Sequence, residues 1–124
     1  MTSEQPSLEQ LLDAVANIKF FVIFMKPTDA FQPLFASEEA RQVLTEHLRY
    51  LREIERTGQL YASGPIDSDG EGMCIVRTEG REDAQRIAYA EPFHKAGWRV
   101  NSVRSWQLNE GLLVECAKEL TSAS

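Results

Sequence analysis

The sequence predicts an α+β fold of the ferredoxin-like type, a split sheet in the order β-α-β-β-α-β with an extra helix at each end. Three observations carry that expectation. Lys19–Lys26 reads KFFVIFMK, apolar at both alternate sets of positions, as in a strand covered on both faces. Two later segments, Ser37–Gly58 and Arg81–Ala90, carry apolar residues at helical spacing. The runs Leu60–Ile66, Met73–Thr78 and Arg99–Gln107 supply three further strands in the order this fold requires.

Each element has a local reason. Ser7 and Gln10 fit a capping box ahead of Leu8, Leu11, Leu12, Val15 and Ile18, which recur at helical spacing. The first strand follows, and then Pro27–Ala36 is irregular. Ser37 suits an N-cap, with Glu38 and Glu39 where the helix dipole favours acids. Ala40, Val43, Leu44, Leu48, Leu51 and Ile54 form the apolar stripe of the long helix, and Gly58 is a natural stop. Gly64-Pro65 breaks the second strand near its end, and Asp67–Gly72 (DSDGEG) has turn composition, so the middle strands read as a hairpin. Glu82 and Asp83 open the next helix, and Pro92 disfavours helical geometry at Glu91, which ends it there. The last strand has Val100, Val103 and Trp106 as its apolar members. Leu112, Leu113, Cys116 and Leu120 then describe a closing helix from Asn109 onward. The expected organisation is one domain over 1–124, with a core at about 19–108 and helical extensions at 7–17 and 109–121.

Composition narrows the functional classes. The chain has 124 residues, 43% hydrophobic and 26% charged, which suits a single globular core. Its net charge of −6 supplies no basic surface for phosphates, so no nucleic-acid partner is expected. The longest apolar run, Phe20–Met25, is far short of the roughly 20 residues needed to span a bilayer, so no membrane partner is expected. Glu4, Glu9 and Asp13 occupy an N-terminus without a basic region, unlike a secretory signal. Cys74 and Cys116 show neither CxxC spacing nor framework density and read as reduced thiols, placing the chain in the cytoplasm. Two helices on one side of a small sheet leave its other side open. A homodimer pairing sheet to sheet would cover it, as would the terminal helices.

Chemistry concentrates at two places. His47 lies beside the stripe of the long helix, four residues after Val43 and four before Leu51. Glu91 continues the apolar face of the next helix through Ala84, Ile87 and Ala88. If both helices pack on the same side of the sheet, the imidazole and the carboxylate point into one region. An acid/base dyad would look like this, and so would a satisfied buried histidine beside a helix-end carboxylate. The second place is Pro92–Asn109, which holds Lys95, Arg99, Arg104 and His94 and no acid. Arg104 could grip an anionic substrate bidentately, or the segment could be a solvated edge. His94 belongs to the loop-like run Pro92–Gly97, where exposure is the default, and is a secondary substrate-binding candidate. Ser63, at the end of its strand, is a candidate pocket residue. Tyr61, Phe93, Trp98 and Trp106 read as core or interface that a pocket would borrow as wall. No HxH, HExxH, GxGxxG, GxxxxGK or GxSxG pattern is present, so no metal, cofactor or serine nucleophile is expected.

His47-Leu48-x-x-Leu51, Gly58-Gln59-Leu60 leading to Ala62-Ser63-Gly64-Pro65, Ala90-Glu91-Pro92-Phe93 and the closing strand to Trp106 together resemble the YCII-related (YciI-like) proteins. The similarity runs from about Phe20 to Gly111, with PFHKAG and VRSWQLNEG closest to that family's bacterial branch. The resemblance implies a dimeric α+β barrel and an active-site dyad at His47 and Glu91. Family members often carry Asp where this chain has Glu91, whose extra methylene displaces the carboxylate; the terminal helices are a second departure. The family is similar to small-molecule lyases and isomerases, among them a dehydrochlorinase. The resulting expectation is a cofactor-independent enzyme that moves protons on a small cyclic or anionic metabolite. His47 would be the acid/base group, Glu91 its orienter, and Arg104 or Ser63 a substrate contact. The alternatives are a non-catalytic ligand-binding dimer and an interaction module that uses the terminal helices.

Overall fold

The computed structural model describes residues 5–67 and 70–123, with side chains to Leu120; Glu4 and the turn residues Ser68 and Asp69 therefore lie outside it. The elements are α1 (Leu8–Ala14), β1 (Ile18–Pro27), α2 (Glu38–Arg56), β2 (Leu60–Pro65), β3 (Gly72–Val76), α3 (Arg81–Ala90), α4 (Pro92–Lys95), β4 (Arg99–Leu108) and α5 (Leu112–Ala123). The four strands form one antiparallel sheet in the order β2-β3-β1-β4, the split arrangement expected from the sequence. The element that periodicity did not anticipate is α4. Pro92 at its first position and the Glu91 side chain as its N-cap make Pro92–Lys95 helical. Among the described residues no helix is long and apolar enough to cross a membrane.

The chain forms two compact units, one from Phe20 to Trp106 and the other from the segments before and after it. In the first, alternate residues of β1 and β3 face the helices. Phe21 pairs with Val76 and Ile23 with Cys74, and these four pack with Met25, Ala84 and Ala88 in a buried cluster. Small alanines let α3 lie close on the sheet. A second cluster joins Ala40 of α2 to Phe93 and Trp98, with Phe31, Leu34, Val43 and Leu44 around it. The irregular segment after β1 is pinned across the fold. The Thr28 hydroxyl donates to the Gly97 carbonyl at 2.6 Å, and the Thr28 N–H donates to the Trp98 carbonyl at 2.8 Å. That anchorage brings Phe31 into edge contact with Phe93 at a centroid distance of 5.6 Å.

The β2–β3 pairing is irregular at one point. The register shifts between Leu60 and Ala62, where β2 takes up one extra residue against β3. Residues three apart in a regular strand face opposite ways, but this bulge lets Leu60, opposite Val76, and Ser63, opposite Cys74, share the helix-covered face. Just ahead of β2, where α2 ends, Gly58 adopts φ +83°, the left-handed turn expected of a helix stop.

In the second unit the Ser7–Gln10 capping box forms as expected, and the Ala16 N–H donates to the Asn109 carbonyl at 3.0 Å. The apolar stripe of α1 is exposed along its length, and the helix has no buried residue. On β1 the alternate positions Phe20 and Val22 are buried within a single chain, whereas Phe24 and, on β4, Val100 and Trp106 stay exposed.

Candidate active site

Pro92 organises the site. It disfavours helical geometry at Glu91, which becomes extended (φ −66°, ψ 130°) and closes α3 while opening α4. One Glu91 oxygen, Oε2, accepts the His94 N–H at 3.1 Å and so caps the short helix. The other, Oε1, meets His47 Nδ1 on α2. A carboxylate has no proton to give, so the ring nitrogen donates, and whenever the ring is neutral Nε2 is its basic nitrogen. Both partners are buried, His47 at 8% and Glu91 at 1% exposure. The His47 ring also lies flat on Phe93, at a centroid distance of 3.9 Å and 4° between planes. The longer carboxylate arm of Glu91 thus reaches the imidazole.

Burial by itself works to raise the Glu91 pKa. The hydrogen bond and charge of His47, with the Phe93 and His94 N–H groups, outweigh it and hold the carboxyl below its usual range. The same buried anion acts on its neighbours. The Tyr50 hydroxyl donates to the Ile87 carbonyl at 2.8 Å, tying α2 to α3; burial first, then the Glu91 charge, push its pKa up to about 12. Cys74 is likewise pushed up to about 12 by burial and Glu91, against the opposing pull of Arg99. Both groups therefore remain neutral and weakly nucleophilic near neutral pH.

His47 lines a cavity of about 730 Å³ bounded by α2, β2 and the segment after β1. Its walls are mainly apolar, with Phe31, Leu34, Leu51 and Phe93 among them, and Ser63, Arg99 and the exposed Arg52–Glu55 ion pair add polar groups. The expected site residues divide accordingly. His47 and Ser63 border the cavity, and Glu91 is the buried partner of His47. Arg104 is exposed on β4 and is not among the lining residues, because the strand alternation turns it away from buried Arg99 and Asn101. His94 also lies outside the lining. It is half-buried in α4 rather than exposed in a loop, with Nδ1 accepting the Asn101 N–H at 3.1 Å. Arg99 is the buried cation of the cavity, which sequence reading passed over; Arg52, also on the wall, is exposed and paired with Glu55. Val100, Val103 and Trp106 do not share one strand face, so the apolar pattern did not reveal which set faces inward. Among the described residues no group of three or more His, Cys, Asp or Glu is placed to hold a metal ion.

Removing Glu91 would leave buried polar groups without partners and uncap α4. Glu91→Ala is expected to lower unfolding stability by about 3–5 kcal/mol in urea titrations. The sign of the pH dependence follows from the lowered pKa. The carboxylate's contribution is complete above the unfolded-state value of about 4.3 and is lost as pH falls through the lower folded value. The stability gap between the parent protein and Glu91→Gln should therefore shrink as pH falls below about 4. A gap that widens on acidification would contradict this.

No curated protein matches the sequence. Among solved structures the chain is similar to 5-chloro-2-hydroxyhydroquinone dehydrochlorinase from Burkholderia phenoliruptrix, determined in complex with 2,5-dihydroxybenzoquinone. The similarity covers 70% of this chain and 92% of that one, with a TM-score of 0.54 and 20% sequence identity, and is a likeness of fold. The sequence profile of the YCII-related domain matches residues 19–107, from the first strand of the sheet almost to the end of the last. The chain belongs to the YCII-related family.

Proposed function

We propose that the protein is a cofactor-independent lyase or isomerase in which the His47–Glu91 pair transfers protons on a small cyclic metabolite. The observation that carries this reading is the pair itself. A cavity-lining imidazole gives its Nδ1 proton to a buried carboxylate and makes no hydrogen bond through Nε2 among the described residues. Glu91 fixes the tautomer and favours the imidazolium that forms when Nε2 takes a proton. In an elimination Nε2 would take a proton from carbon, the C–H electron pair would form the new double bond, and the leaving group would depart with its own pair. In an isomerisation the same proton would return at another carbon. Tyr50 and Cys74, held neutral, offer no nucleophile for a covalent route. The dehydrochlorinase of similar fold suggests hydroxylated quinones and chlorinated hydroquinones as the first compounds to try.

We read the working unit as a homodimer acting in the cytoplasm. The exposed apolar residues Val100 and Trp106 on the outer face of β4 support the dimer, although Phe20 and Val22 are already covered within one chain. The two thiols outside any disulfide support a reducing compartment.

Incubation with such compounds in deuterated buffer, followed by mass spectrometry and chloride assay, would register carbon deuteration or halide loss. Active protein should lose about a hundred- to ten-thousandfold in rate on His47→Gln, with ligand affinity changed only a few-fold. Tight ligand binding without any turnover would instead favour a non-catalytic binder. Light scattering should give twice the 14.0 kDa chain mass, and the single-chain mass would contradict the dimer.

A further inference from the structure

We propose that Arg99 is the anion anchor of the cavity, so that the ligand is a small planar molecule bearing an oxyanion, a carboxylate or a phenolate. The inference rests on reading the cavity as the functional pocket and adds to it a substrate class and the residue that selects it.

Arg99 is 7% exposed and is the one buried Lys or Arg among the described residues. Buried guanidinium groups normally meet a carboxylate, because removing the charge from water is costly. No carboxylate lies within ion-pair distance of this one among the described residues. Its Nε donates to the Gly70 carbonyl at 2.8 Å, and Nη1 is 3.5 Å from the Met25 sulfur, a weak acceptor. Nη2 has no hydrogen-bond partner among the described residues. Burial pulls the Arg99 pKa down while the Glu91 charge opposes it, and an arginine remains cationic throughout.

The surroundings are shaped to the group. The guanidinium carbon lies 4.9 Å from the centroid of Phe93 and 5.5 Å from that of Phe31, so aromatic faces hold the fork flat. At Gly72 a Cβ would come within 3.2 Å of Nη2 and 3.4 Å of the guanidinium carbon, so β3 opens on glycine where the arginine needs the space. Phe93 carries the Arg99 cation as well as the stacked His47 ring. The anion site and the basic nitrogen therefore neighbour one aromatic ring and line one cavity with Ser63. That arrangement fits a flat cyclic ligand with its oxyanion on Arg99 and a carbon near His47. A fork with unused donors in a largely apolar cavity prefers a charged, planar, two-oxygen partner to a neutral one.

Benzoate and its neutral isostere benzamide test the idea by calorimetric titration of the parent protein, Arg99→Gln, Arg99→Lys and His47→Gln. The parent should bind benzoate more tightly than benzamide, and Arg99→Gln should erase about ten- to a hundredfold of that preference, with benzoate affinity falling far more than benzamide affinity. Arg99→Lys should keep part of the preference, and His47→Gln should keep nearly all of it. A co-crystal of the parent protein with 4-bromobenzoate should place the carboxylate against Nη2, a readout that stands even if Arg99→Gln fails to fold. Absent benzoate binding, an unchanged preference in a folded Arg99→Gln, or a carboxylate bound elsewhere would each overturn the assignment. The two readings fail separately. Benzoate selectivity lost at Arg99→Gln without turnover of any compound would retain the anion site and remove proton transfer. Turnover that depends on His47 with no anion preference would do the reverse.

Discussion

The bond between His47 and Glu91 depends on a break in the backbone, and much of the site depends on that bond. Pro92 ends α3 one residue early, so Glu91 is extended and its carboxylate is shared between an imidazole on α2 and the N-terminus of α4. One buried anion thereby joins three helices. A continuous helix through Glu91 would commit its backbone to α3 and remove the cap from Pro92–Lys95. The short helix in turn delivers Phe93, on which the His47 ring is stacked. Position, tautomer and packing of the imidazole therefore share one origin.

Phe93 also connects the dyad to the cation. Arg99 and His47 both lie on this ring, and both border the same cavity. Glu91 is close enough to act on the titration of Tyr50, Cys74 and Arg99, raising the first two against ionisation and favouring the charge of the third. A buried carboxylate in a region of low polarity exerts such a field because little water screens it. The result is a mainly apolar chamber bordered by one carboxylate-bound imidazole and one buried guanidinium, with the exposed Arg52–Glu55 pair also on its wall, while Tyr50 and Cys74 stay neutral. Stereochemistry and charge in such a chamber are set before any ligand arrives.

Much of this was legible in the residues, and the gaps have physical reasons. The doubly apolar KFFVIFMK, the capped stripe from Ser37 to Gly58 and the Pro92 stop specified the split sheet and put His47 and Glu91 on adjacent helices. Local signals of that kind depend on periodicity and capping, which a single sequence carries. The bulge at Tyr61 did not show, because a one-residue register shift depends on pairing with β3 rather than on β2 itself. Sequence alone also favours Arg104 over Arg99 as the substrate contact. Charge could be counted along β4, but facing could not be assigned while Val100, Val103 and Trp106 mixed both sides. The helix at Pro92–Lys95 was hidden because its cap is the side chain of a residue already engaged by the dyad.

At the centre of the proposed chemistry, Glu91 holds the His47 ring in one orientation, with the proton on Nδ1 and Nε2 free to act as base. Long-range proton–nitrogen correlation spectra of protein labelled with nitrogen-15, recorded where the ring is neutral, read this directly. The expected result is a protonated Nδ1 with a far-downfield, slowly exchanging proton, an unprotonated Nε2, and loss of that downfield signal in Glu91→Ala. A ring that carries its proton on Nε2, or an Nδ1 proton that exchanges freely with water, would contradict it.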